Sequence, residues 1–247
     1  MSHTPLTSIR PGSVGDWASR NLGAILVIER YGIDFHAEAD LSLEEACANR
    51  GLRLQEVLAQ LEPAARPRVQ PGGAFEELNL RGVIGHILEW HHGYLKSVLP
   101  KLRARLNKMA ARHGERDGRL LERLHLVFCD LQAELEEHLK KEETILFPFI
   151  ERYEWAFEHA LPAPPPPFGS VANPIRCMEA EHARAIELLA EMRSITRNYQ
   201  PPEYACANFI AVYHSLEELE ADLVEHIRVE NEILHRRAEA LERRLFG

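Results

Sequence analysis

Leucine, isoleucine, valine and alanine recur at three- and four-residue intervals through four long stretches of this chain, roughly 77–111, 117–158, 173–198 and 203–244. That spacing gathers the apolar side chains on one stripe of an α-helix, so each stretch is predicted as a long amphipathic helix. Four such helices bury their stripes against one another, which makes a bundle. Ahead of them, residues 14–61 carry shorter helical patterns, "VGDWASRNLGAILVIERYG", "LSLEEACANRG" and "LRLQEVLAQLE". Ser42 followed by Glu45 reads as a capping box that starts the second of these. The fold class expected is all-α, with a small N-terminal helical domain over 10–62, a linker over 63–76 and a four-helix bundle over 77–247.

Proline and glycine punctuate this pattern. "EPAARPRVQPGGAF" has little apolar content and the composition of a linker. "HALPAPPPPFGSVANP" cannot be helical, because its prolines lack donors and fix φ, so an extended excursion is expected between the second and third long helices.

The apolar pattern also frames candidate chemistry. "LQAELEEHLKKEETIL" and "LEADLVEHIRVENEIL", in the second and fourth long helices, align as leucine, acid (Glu134 or Asp222), leucine, His138 or His226, then Glu142 or Glu230. One His-x-x-x-Glu pair is common on a solvated helix face. Two copies in matching apolar frames are not, because both pairs then point toward a core where lone charges are costly. A metal ion offsets that cost. The other two helices offer His86, His91 and His92 in "HILEWHHGYL" and His182 in "CMEAEHARAIELL". Four imidazoles with two carboxylates able to bridge suit a pair of iron ions better than zinc, whose short-spaced signatures such as HExxH are missing.

Composition narrows the setting. The chain has 247 residues, 45% of them hydrophobic, with 13 histidines and a formal charge of −9. An acidic balance gives no general attraction to nucleic acid or anionic membranes, and no apolar stretch reaches bilayer length. The N-terminus does not resemble a secretory signal, so a cytoplasmic protein is expected. Cys47, Cys129, Cys177 and Cys206 lack CxxC spacing and are expected as free thiols, most of them in the core.

Taken together, "ERYGIDF", "LSLEEACANRGL", "HILEWHHGYLKSVLPKL", "HLKKEETILFPFI", "MEAEH" and "HIRVENEIL" resemble the hemerythrin-like iron–sulfur cluster repair (RIC) di-iron family over about residues 14–240. The resemblance implies a hemerythrin-like bundle with two non-heme iron ions bridged by carboxylates. The ligands it implies are His92, His138, Glu142, His182, His226 and Glu230, with the two glutamates as bridges. It selects His92 over His86 and His91, and Glu142 over Glu143. Helix geometry supports the second choice, since Glu143 is rotated a further 100° or so from His138. Glu134, Asp222 and Glu181 are then expected as acceptors of ligand imidazole N–H groups, as polar lining of an access path, or as solvent-exposed acids.

Two departures from the family stand out. His36 and Ala37 occupy the positions of its cysteine pair, and "ILHRR" replaces its Phe-Pro pair after the last leucine. His36 with Glu38 and Asp40 is weighed as a substitute iron site against a solvated acidic turn, the simpler account. His113 is weighed as a peripheral ligand against a histidine at a helix C-terminus, and His125, His159, His214 and His235 have no partner at matching spacing. The function implied is repair of iron–sulfur clusters damaged by nitrosative or oxidative stress, through iron donation, with damaged iron–sulfur proteins as partners. The alternatives are a nitric oxide or dioxygen binder, a nitric oxide reductase, and a metal-free structural bundle. No nucleic-acid or membrane partner is expected, and a homodimer is left open.

Overall fold

The computed structural model describes residues 9–66 and 75–246 of the chain. All regular elements among the described residues are helical, and Ser13 and Ser42 form one isolated antiparallel bridge. Most of the linker expected at 63–76 lies outside the described residues, although the helix before it continues through Pro63. None of the helices among the described residues is long and apolar enough to cross a membrane. The chain divides into two compact units, one of Met1–Val69, Lys101–His125 and Arg193–Leu219, the other of Gln70–Pro100, Leu126–Met192 and Glu220–Gly247.

The first unit contains four short helices, α1 (Val14–Arg20), α2 (Leu22–Arg30), α3 (Leu43–Ala48) and α4 (Leu54–Ala64). Each of the first three starts where a side chain satisfies an orphan N–H of the first turn. Ser13 Oγ accepts from Asp16 N, Asn21 Oδ1 from Ala24 N, and Ser42 Oγ from Glu45 N. Glu45 returns a bond to Ser42 N at 2.8 Å, completing the predicted capping box. Gly51, at φ +65°, takes the left-handed turn that ends α3. Val14, Ile25, Ile28, Phe35, Val57 and Leu61 form a core that also takes in Ala207 and Ala211.

The long helices follow: α5 (Leu80–His86), α6 (Gly93–Lys141), α7 (Phe147–Glu158), α8 (Ala172–Ile195), α9 (Ala207–Val229) and α10 (Arg236–Phe246). Three single π-helical turns, Ile87–His92, Glu142–Leu146 and Glu230–His235, join α5 to α6, α6 to α7 and α9 to α10. Within α6 the backbone leaves helical geometry at Asp117, near the predicted break between the first two stretches. His92 and Lys96, near the start of α6, meet Glu142 and Glu143 at its end, so the two arms of this helix run antiparallel.

The second unit packs Ile84, Ile87, Phe147, Ile150, Ile175, Met178, Val229 and Leu234 into one core. Two acids fix its ends, Glu154 buried and Glu242 half-buried. Glu154 accepts from Leu80 N and Arg81 N at 2.6 and 2.8 Å, capping α5 from α7. Glu242 holds Ser170 and Val171 where the proline-rich excursion turns into α8. The excursion is non-helical through Val171, but residues 172–174, expected outside a helix, already form the first turn of α8, where a proline's missing N–H would have no intrahelical partner anyway. All four cysteines are free. Cys47 and Cys206 are buried, Cys129 is half-buried and Cys177 is exposed.

Candidate metal centre

Four helical segments of the second unit bring His92, His138, Glu142, His182, His226 and Glu230 to one place, each no more than 4% exposed. The residues fall into two overlapping sets. His92, Glu142, His226 and Glu230 have donor atoms within 4.8 Å of one another, and so do His138, Glu142, His182 and Glu230. Both glutamates belong to both sets, so each can offer one oxygen to either side.

The π-turns aim these side chains. Each turn widens the helix by one residue, and π-turns occur often at functional sites. His92 closes the first turn, and Glu142 and Glu230 open the other two. On one helical face, His138 and Glu142 are then neighbours, as are His226 and Glu230.

The polar atoms point at shared points rather than at each other. Nε2 of His92 and of His138 each stands 3.3 Å from Glu142 Oε2, and His182 Nε2 and His226 Nε2 stand 3.1 and 2.9 Å from the Glu230 oxygens. Yet the oxygens of both glutamates and Nε2 of His92 and His226 make no aligned hydrogen bond, although all are enclosed. His138 Nε2 and His182 Nε2 face each other at 3.1 Å. Buried polar atoms without partners are rare because each costs its full desolvation. A cation at each set would serve all of them, so the donor set fits metal.

Electrostatics agree. Burial and the neighbouring Glu230 charge push the Glu142 carboxyl up, but the close approach of the His138 and His92 rings outweighs them and holds it below its usual value. Burial likewise opposes ionisation of Glu230, and His226 and His182 carry it well below the carboxylate range. Burial disfavours a charged His138, yet the nearby Glu142 and Glu230 carboxylates push its pKa up to about 9. Two ionised carboxylates in a dry core call for positive charge, which protons on the histidines or metal cations can supply.

Outer partners orient three of the rings. His92 Nδ1 lies 2.7 Å from Glu143, whose oxygens also accept from Lys96 Nζ. His138 Nδ1 lies 2.9 Å from Glu181, itself paired with Lys141, and His182 Nδ1 lies 2.8 Å from Asn231 Oδ1. With Nδ1 engaged outward, Nε2 is left for the centre. A narrow cleft of about 10 Å3, lined in part by Glu134, Glu181 and Leu223, reaches His138, His182 and His226.

Other sequence candidates lie elsewhere. Glu134 pairs with Arg184 at 3.5 Å and Asp222 with His91 at 3.2 Å, while Glu181 lies against the ligand ring of His138. Glu143, rotated away from His138 as helix geometry requires, serves His92 on the other arm. His86 is half-buried outside both sets, and the His91 ring stacks on His226 at 5.0 Å. Glu38 is held by Arg50, and no group of potential metal ligands among the described residues includes His36. His113 is buried against Cys206 Sγ at 3.4 Å.

Sequence reasoning passed over His235, which is 1% exposed with its ring 6.0 Å from that of His182 and nearly parallel to it. Neither of its nitrogens has a hydrogen-bond partner among the described residues, and burial holds it neutral, with its pKa pushed down to about 4. The π-turn puts it on the inner face, which α-helical spacing from Glu230 does not reveal.

Residues 83–238 match the family model of the hemerythrin HHE cation binding domain. Similar proteins include a probable iron-sulfur cluster repair protein of Haemophilus influenzae, 30% identical over 86% of this chain and 89% of its own. The iron-sulfur cluster repair protein YtfE of Citrobacter koseri is 30% identical over 94% of this chain and 98% of its own. The protein of that name from an Escherichia coli strain is 31% identical, covering 93% and 97%. The matched span contains every residue of the centre, and the chain belongs to the hemerythrin HHE cation-binding family.

Proposed function

We propose that this chain is a cytoplasmic non-heme di-iron protein that restores damaged iron–sulfur clusters by donating iron. The observation that carries the reading is the pair of overlapping donor sets sharing Glu142 and Glu230, with their inward atoms otherwise unsatisfied. Relatives that match nearly the whole chain carry the name of iron–sulfur cluster repair proteins. His92 and His226 would hold one iron and His138 and His182 the other, with Glu142 and Glu230 belonging to both sets. A mixed imidazole and carboxylate set suits iron.

Bound iron would supply redox chemistry, and in repair it would also be the cargo. The chain's own residues do the rest. Glu143, Glu181 and Asn231 hold the imidazole rings in register, Lys96 and Lys141 balance the outer carboxylates, and the narrow cleft limits water. Damaged iron–sulfur proteins are the partners this reading requires. A second reading, nitric oxide or dioxygen binding, draws support from His36 standing where the resembled family carries a thiol.

One substitution separates the two. Glu142→Gln removes a charge and a shared oxygen pair, so one iron per chain becomes labile. An iron donor with this change releases iron faster to a chelator and still reactivates a damaged iron–sulfur enzyme. A gas binder loses diatomic binding in proportion to lost paired iron. Failure of the fully loaded parent to reactivate the damaged enzyme overturns the repair reading.

A further inference from the structure

The first unit holds a second polar site that the metal centre does not explain. A cavity of about 640 Å3 is lined by Glu29, His36, Arg105, Lys108, Arg112 and Asn208, together with Ala111. That is the size of an ordinary metabolite pocket. Arg105, Lys108 and Arg112 lie three and seven residues apart on α6, so they share one helix face. Arg105 is 5% exposed, paired with Glu29 and placed 6.0 Å over the Phe35 ring. Its guanidinium is therefore fixed before any ligand arrives.

The sign of the cavity is opposite to that of the protein. Three cations line it and Glu29 is the only carboxylate among the described residues that line it, in a chain of net charge −9. Asp34, beside His36, is turned to the backbone N–H groups of His36 and Ala37. Burial, then Arg112 and Arg105, push the His36 pKa down to about 4, so at neutral pH the ring is an uncharged hydrogen-bonding group. Crowded like charges repel one another, and a bound anion relieves that repulsion. Guanidinium groups match carboxylate and phosphate oxygens in pairs, while lysine adds a point charge.

We propose that this cavity binds a metabolite-sized polyanion, a polycarboxylate or a phosphate ester, gripped by Arg105, Lys108 and Arg112 with His36 and Asn208 as neutral polar neighbours. The site is independent of the metal centre, and its test does not depend on iron chemistry. The iron-loaded full-length protein is titrated calorimetrically at low salt with tricarballylate and with fructose 1,6-bisphosphate. The parent should bind at least one of them saturably, once per chain, and more weakly as salt rises. The tighter probe assigns the head group. Lys108→Glu and Arg112→Glu, at exposed positions, should each weaken binding by about tenfold or more, with iron content and melting temperature unchanged. No saturable binding of either probe, or affinity unchanged in both variants, overturns the proposal.

Discussion

The metal centre and the cationic cavity are two polar sites of opposite sign, and burial separates their designs. At the centre, two carboxylates and four imidazoles are enclosed in apolar packing, and the glutamate oxygens lack aligned partners. Of the cavity's three cations, Lys108 and Arg112 are exposed and Arg105 is buried, already paired with Glu29. A buried set of donors is stable only when something shares its charge, so its ligand is tied to its folding. An open cationic cavity tolerates water in place of its ligand and costs the fold little. Loss at the first site should therefore register in stability as well as binding, and loss at the second in binding alone.

The strongest attempt to break this contrast removes a ligand histidine. His138→Ala or His226→Ala should lower iron to about one ion per chain or less and cost roughly 3–5 kcal/mol, the scale for leaving a buried charge without its partner. Iron assay and thermal unfolding check both effects. Unchanged iron content in both variants would refute the ligand assignment.

Removing the metal without mutation comes next. The chelated protein should melt several degrees lower than the loaded one, and added ferrous iron should restore the melting temperature, because a ligand that binds only the folded state stabilises it. Coincident melting curves would mean that no iron is held by the folded chain.

A smaller effect is expected one layer out. Glu181→Gln and Glu143→Gln keep the shape but weaken the acceptors of His138 and His92, and should loosen iron about 10- to 100-fold, as outer-partner changes do elsewhere. Competition with a calibrated chelator measures this, and unchanged affinity in both variants would reduce those acids to surface salt bridges.

The smallest effect belongs to the cavity. His36 has a pKa of about 4 in the folded chain, below its unfolded value of 6.5. The unfolded state therefore binds the extra proton first, and the contribution of His36 is present above pH 6.5 and lost as pH falls toward 4. After discounting for solvent at this half-buried ring, about 1 kcal/mol should disappear between pH 7 and pH 5. His36→Gln should flatten that part of the stability profile, which denaturant titration at the two pH values reads directly.

Much of the centre was legible because α-helical spacing is local. His138 with Glu142 and His226 with Glu230 follow from four-residue steps inside apolar frames, and the Ser42–Glu45 capping box follows from three. Neither inference needs knowledge of a neighbouring helix. The proline-rich excursion is legible for the same reason, since fixed φ angles and missing donors act within a few residues.

What only the tertiary structure decided depends on which faces meet. The residues alone left His86, His91 and His92 open, and the π-turn Ile87–His92 together with packing turned His92 inward. A one-residue widening swings later side chains by about 100°, which a regular helical period cannot foresee. That is why His235 looked solitary in sequence and lies buried beside His182. The pairing of Glu143 with His92 and of Glu181 with His138 joins segments far apart in the chain. So does the meeting of His36 with the Arg105, Lys108 and Arg112 face. Local spacing says which residues share a face; only the packed core says what that face meets.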